Sequence, residues 1–96
     1  MTGYVYMLAS QKGGTIYIGV TSSLAAHIPQ HKEGKGSGFT ARYGVQRLVW
    51  YEEFFDVRDS IEREKELKKW RRAWKIALIE AQNPDWNELF RGVGWD

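Results

Sequence analysis

Two tyrosines carry the first chemical signal in this sequence. Tyr6 lies in the run Gly3–Leu8, and Tyr17 lies in the run Thr15–Val20, two residues before Gly19. If the runs pair so that Tyr6 comes near Tyr17, two phenols stand side by side over Gly19, where a large group can approach the backbone. The same residues also suit plain packing in a small sheet, and residue types alone do not choose between the two. A second signal is basic. Lys65, Lys68, Lys69, Arg72 and Lys75 recur at helical spacing with little acid between them. Such a stripe serves phosphate binding or an ordinary solvated face. His27 and His31 stand one helical turn apart. Around Lys35, Thr40 and Arg42 the chain carries Gly34, Gly36, Gly38 and Gly44. A glycine-rich loop can cradle phosphate, but no Gly-Lys-Thr or Gly-Lys-Ser follows, so this is not a P-loop. The chain has no cysteine, which excludes disulfides and thiolate metal sites.

These residues need a scaffold. A chain of 96 residues with a hydrophobic fraction of 43% is long enough for one folded domain, and argues against disorder. We read it as one domain over 1–96, with a core from about residue 4 to 90 and a frayed tail over 91–96. The net charge of +2 is too small to name a partner; its distribution matters more. No apolar run is long enough to span a bilayer and no signal peptide is visible, so a soluble cytoplasmic protein is expected.

The first two runs, joined by Ser10-Gln11-Lys12-Gly13-Gly14, predict a β-hairpin with Tyr4, Tyr6 and Leu8 on one face. A helix follows from a Ser22 or Ser23 cap toward Lys32, with Pro29 predicting that it is kinked or begins late. Glu33 to Tyr43 reads as a polar loop. Gln46–Phe55 reads as a third strand, with Leu48, Trp50 and Phe54 on one face and Val49, Tyr51 and Phe55 on the other. Both faces are apolar, so both are expected to be covered. Asp56 to Ala81 is helical, as one helix or as two with a bend near Lys69 to Arg71. Its apolar stripe runs through Leu67, Trp70, Trp74, Ala77, Leu78 and Ala81. Pro84 ends that region and can open a short helix capped by Asn83, with Trp86, Leu89 and Phe90 packing back on the core.

In order and spacing, these blocks resemble the GIY-YIG nuclease superfamily, within its small stand-alone bacterial group of predicted endonucleases. Tyr4-Val5-Tyr6 stands where the family has Gly-Ile-Tyr, and Tyr17-Ile18-Gly19 is the Tyr-Ile-Gly signature. Further matching blocks are Gly19-Val20-Thr21-Ser22, Gln30-His31-Lys32, Gly38-Phe39-Thr40 and Leu48-Val49-Trp50-Tyr51-Glu52. They continue through Arg63-Glu64-Lys65 with Lys68, Lys75 with Leu78-Ile79, and Asn83-Pro84-Asp85-Trp86. The resemblance covers about Tyr4 to Leu89.

The resemblance implies an α+β (α/β) fold, a three-stranded, mainly antiparallel sheet flanked by helices. It implies a metal-dependent endonuclease that cuts phosphodiester bonds in DNA, with roles in repair or recombination, and with RNA not excluded. The cofactor is magnesium or another divalent cation such as manganese. By position, Tyr6 and Tyr17 are the signature tyrosines at the site, one of them helping to deprotonate water. His31 is the histidine one helical turn after the family's arginine position on the first helix, Glu64 the metal ligand, and Gly19 and Asn83 supporting residues. Lys32, Lys35, Arg42, Lys65, Lys68, Lys69 and Arg72 are the candidate nucleic-acid contacts. One hard carboxylate with water and phosphate oxygens suits magnesium. A phenol with an ordinary pKa of about 10 needs a nearby cation to act as a base.

One position departs from the family. Where an arginine is expected on the first helix, this chain has His27. Arginine grips phosphate with a permanently charged fork, whereas histidine offers one donor per nitrogen. Three outcomes follow: His27 binds phosphate in a slower enzyme, Arg42, Lys32 or Lys35 takes the arginine's role, or the domain binds nucleic acid without cutting. A protein-interaction domain, suggested by the five tryptophans, is the reading outside nucleic-acid chemistry.

Overall fold

The computed structural model describes residues 1–32 and 38–90, without the side chains of 30–32, 39 and 40. Three strands form one antiparallel sheet in the order β2-β1-β3: β1 is Gly3–Ala9, β2 is Ile16–Thr21 and β3 is Arg47–Phe54. The helices are α1 (Leu24–Lys32), α2 (Gly38–Tyr43), α3 (Val57–Lys68) and α4 (Arg72–Gln82). The expected three-stranded sheet with flanking helices is the fold observed. No helix among the described residues is long and apolar enough to cross a membrane.

The central strand is β1, and its two faces found two cores. Val5, Met7 and Ala9 join Leu67 of α3, Ile79 of α4 and Trp86. Tyr6 and Leu8 join Leu24 and Ile28 of α1, with Val45 and Leu48. Five consecutive residues, Val5 to Ala9, are therefore buried. At about 1.5–3 kcal/mol for a fully buried large apolar side chain, these two layers dominate the folding energy. The close seat of α3 on β1 depends on Gly3. A Cβ there would lie 2.7 Å from the Val57 Cα, inside any real contact distance. Ser60, fully buried at the same seat, satisfies its hydroxyl by donating to the Val57 carbonyl at 2.6 Å.

The connection from β1 to β2 is closed by the Ser10 amide donating to the Thr15 carbonyl at 3.1 Å. Gly13 supplies the positive φ of 71° that the turn requires. Asp56 caps α3, accepting from the Arg58 amide at 2.9 Å, and the Arg58 hydrogen bonds lower its carboxyl pKa to about 2.

Several expectations change. Pro29 lies inside α1, which begins at Leu24 rather than late. The proline removes one amide donor, and Ala25, four residues back, is exposed, so water can satisfy its carbonyl. Part of the expected polar loop is helical, as α2. On β3, Leu48 and Tyr51 belong to the α1 side, while Val49 and Trp50 both belong to the α3–α4 side. A register shift causes this: Met7 pairs with Trp50, but Leu8 pairs with Leu48, leaving Val49 as a bulge. Phe55 is 95% exposed, outside either face.

The helical region breaks over Lys69 to Arg71, and the apolar stripe does not continue across the break. Leu67, Ile79, Ile76, Leu78 and Trp70 face the core, whereas Trp74 is 51% exposed and Ala77 and Ala81 are exposed. No helix opens at Pro84. Asn83 is the C-cap of α4, and the Trp86 amide closes a turn on the Asn83 carbonyl at 3.0 Å. Trp86 holds a left-handed φ of 56°, a strained setting stabilised by complete burial and by its indole N–H donating to Glu80 at 2.7 Å. Leu89 and Phe90 pack on the α1 side, as expected.

Candidate active site

Tyr6 sits in the middle of β1 and is 1% exposed. Its register partners are Gly19 on β2 and Tyr51 on β3, so a row Gly19–Tyr6–Tyr51 crosses the sheet. Tyr17 pairs with Leu8, two places along β2 from Gly19 and on the same face. The Tyr6 and Tyr17 ring centroids are 6.5 Å apart, with planes inclined at 42°. The phenols therefore meet, with one change from the simple pairing. Gly19, not Tyr17, stands opposite Tyr6, and a Cβ built on Gly19 would fall on the Cζ and Oη of Tyr6. The large group that approaches the β2 backbone is the ring of Tyr6 itself.

The start of α1 aims a third ring at the same point. Thr21 Oγ1 accepts from the Ser23 amide at 3.1 Å, and Ser23 Oγ accepts from the Ala26 amide at 3.3 Å. Helix is thereby set from Leu24, with Leu24 and Ile28 buried against β1 and His27 on the flank of that buried side. The His27 ring centroid lies 5.8 Å from that of Tyr6, tilted by 57°.

Glu64 comes from α3, two turns after the Asp56 cap. Its side chain is only 16% exposed and pairs with Lys68 Nζ at 3.3 Å, one turn further on. Its charge reaches the tyrosine. The Tyr6 phenol is held well above the usual tyrosine pKa of 10, first by burial, then by Tyr17, then by the Glu64 carboxylate. Tyr6 is thus a neutral phenol near pH 7, able to donate a hydrogen bond.

Asn83 is 4% exposed and works through the backbone. Its Nδ2 donates to the carbonyls of Val49 at 3.0 Å and Asn87 at 2.9 Å, and its Oδ1 accepts from the Asn87 amide at 3.0 Å. It fastens the β3 bulge to the C-terminal segment.

The basic stripe is divided between surfaces. Lys68 shares a cleft of about 300 Å³ with Lys75, Ile16, Tyr17 and Ile18. Lys65 and Lys69 line a different groove of about 630 Å³, with Glu62, Glu66, Trp70 and Trp74. Arg72 donates to the carbonyls of Gly13 at 2.8 Å and Gly14 at 2.6 Å, tying the hairpin turn to α4. Arg42 is exposed and lies 5.6 Å over the Tyr43 ring. Lys35 and the side chains of His31 and Lys32 lie outside the described residues, as does the tail over 91–96.

Two residues gain a place that sequence reasoning did not give them. Tyr51 stands beside Tyr6 across the sheet, a position hidden by the bulge that shifts the β3 register. Lys75 appears in sequence as one of a stripe and in a matching block; it lies on α4 and Lys68 on α3, so only the packing of the two helices brings them to one cleft.

The comparisons with known proteins bear on the family and the fold. The GIY-YIG catalytic domain matches residues 2–77. A UPF0213 protein of Clostridium perfringens is 35% identical over 80 residues, covering 83% of this chain and 85% of that protein. A UPF0213 protein of Lacticaseibacillus paracasei is 31% identical over 85 residues, covering 88% and 94%. The solution structure of a UPF0213 protein from Bacillus halodurans aligns with a TM-score of 0.58 and 30% identity, covering 95% of this chain and 96% of that one. The chain belongs to the GIY-YIG family, whose catalytic domain is that of a nuclease.

Proposed function

We propose that this protein is a metal-dependent endonuclease that hydrolyses phosphodiester bonds in DNA, in repair or recombination. The observation that carries this reading is the meeting of the Tyr6, Tyr17 and His27 rings at one point of the sheet, with the charge of Glu64 acting on the Tyr6 phenol. The donor chemistry fits one hard dication. A single partly buried carboxylate suits magnesium, which keeps most of its water and takes phosphate oxygens.

Glu64 would hold that ion, and when bound it supplies Lewis-acid charge to the phosphate. Tyr6 and Tyr17 position the attacking water through their phenol oxygens. The Tyr6 proton leaves only when positive charge offsets the burial and the Glu64 charge that now retain it. His27, with its ring against Tyr6, donates to the phosphate where the family has arginine.

A nicking assay on supercoiled plasmid and branched duplexes with magnesium tests the reading. Glu64→Ala and Tyr6→Phe are each expected to lose about 100-fold or more of the activity. Complete inactivity of the parent protein, or equal activity in Glu64→Ala, overturns it. The imidazole at the arginine position favours a second reading, a domain that binds nucleic acid without cutting. It predicts salt-sensitive binding without cleavage, and cutting restored in part by His27→Arg.

A further inference from the structure

Lys68 belongs to two places at once. Its ammonium lies 3.3 Å from the Glu64 carboxylate, and its side chain, 54% exposed, also walls the cleft along β2. Tyr17, a member of the tyrosine pair, also lines it, with its β2 neighbours Ile16 and Ile18. Lys75, one α4 turn past the break, completes it. Among the described residues no carboxylate pairs with Lys75, whereas Arg63 pairs with Glu52 and Glu66, and Arg58 with Asp56. A volume of about 300 Å³ lined by two lysines and by apolar residues of β2 suits one phosphate with part of its sugar.

We propose that this cleft is a subsite for a phosphodiester flanking the one attacked, and that Lys68 moves from Glu64 to that phosphate when a divalent cation takes the carboxylate. The proposal rests on the nuclease reading above and deepens it. The charge accounting is simple. Glu64 needs one positive partner; without a cation Lys68 provides it, and with a cation Lys68 is released. Lys75 contributes to the subsite in either state. Cation and nucleic-acid strand therefore bind with positive coupling, and the coupling passes through one side chain.

The test uses the full chain, a short fluorescein-labelled DNA duplex, and calcium in place of magnesium to hold the duplex intact. Binding is followed by anisotropy over a salt series. Lys75→Met is expected to lower the slope of log Kd against log salt by about 1, with or without calcium. Lys75→Arg is expected to retain the parental slope, which separates loss of charge from loss of fold. Lys68→Met is expected to lower the slope by about 1 with calcium and to leave it unchanged without calcium. Without DNA, Lys68→Met is expected to bind manganese about two- to fivefold tighter by electron paramagnetic resonance, because the competing ammonium is gone. A parental slope in Lys75→Met overturns the subsite. An equal loss in Lys68→Met with and without calcium, or unchanged manganese affinity, overturns the exchange. If the parent protein binds no duplex at low salt, the nuclease reading itself fails and the subsite with it.

Discussion

Tyr6 is held by what surrounds it more than by what it touches chemically. Its ring lies across β2 where Gly19 has no side chain, and its neutral state follows from burial, Tyr17 and Glu64. Gly19→Ala puts a methyl into that ring. It should cost about 1–3 kcal/mol in urea unfolding, because the ring has to leave its seat, and should lower nicking with it. A cost below about 0.5 kcal/mol would show that the ring moves freely. The raised pKa of Tyr6 has a definite sign. An unfolded tyrosine loses its proton near pH 10, while the folded one keeps it, so the native state binds more protons above that pH. Stability contributed by Tyr6 is full below pH 10 and is lost as pH rises further. Urea unfolding at about pH 9 and about pH 11 should show a drop in the parent that is smaller in Tyr6→Phe.

At the scale of elements, the break between α3 and α4 does the most to place side chains. Over Lys69 to Arg71 the helical phase is lost, so Trp74 turns outward although its spacing in sequence matches the core stripe. The exposed ring is held by neighbours: Trp70 meets it edge-on with centroids 6.0 Å apart, and the Arg71 guanidinium lies 5.3 Å from its centre. Leu67→Ala should therefore cost about 2–5 kcal/mol by thermal or urea unfolding. Trp74→Ala should cost less than about 1 kcal/mol, a value typical of exposed positions. Similar losses in the two would mean that the break is not maintained in solution. The β3 bulge is the second placing device. It puts Val49 and Trp50 on one side of the sheet and Tyr51 beside Tyr6, and Asn83 accounts for the Val49 carbonyl that the bulge faces.

Across the whole molecule, the C-terminal segment is part of the core rather than an addition to it. The catalytic-domain match ends at residue 77, yet Trp86 is fully buried, Leu89 and Phe90 pack on the α1 side, and the Glu88 carboxylate accepts from the Leu48 amide at 2.9 Å. A chain cut after Gln82 should lose cooperative thermal unfolding, since removal of a buried tryptophan alone costs about 3–5 kcal/mol. A sharp transition in the shortened chain, near that of the parent, would refute this. The amino-acid sequence by itself determined the three strands, the helix after the hairpin and the family, because those rest on local periodicity, turn residues and short ordered blocks. It named Tyr6, Tyr17 and His27, which the fold brings into ring contact, and Glu64, whose charge acts on Tyr6. Only the tertiary structure decided that Gly19 receives the Tyr6 ring, that Tyr51 stands beside it, and that Lys68 and Lys75 share a cleft while Lys65 and Lys69 face another. The hairpin register alone sets Gly19 opposite Tyr6; the other placements have a different physical reason. A one-residue bulge and a three-residue helix break reset which side chains face together, and periodicity read along a sequence carries no record of either.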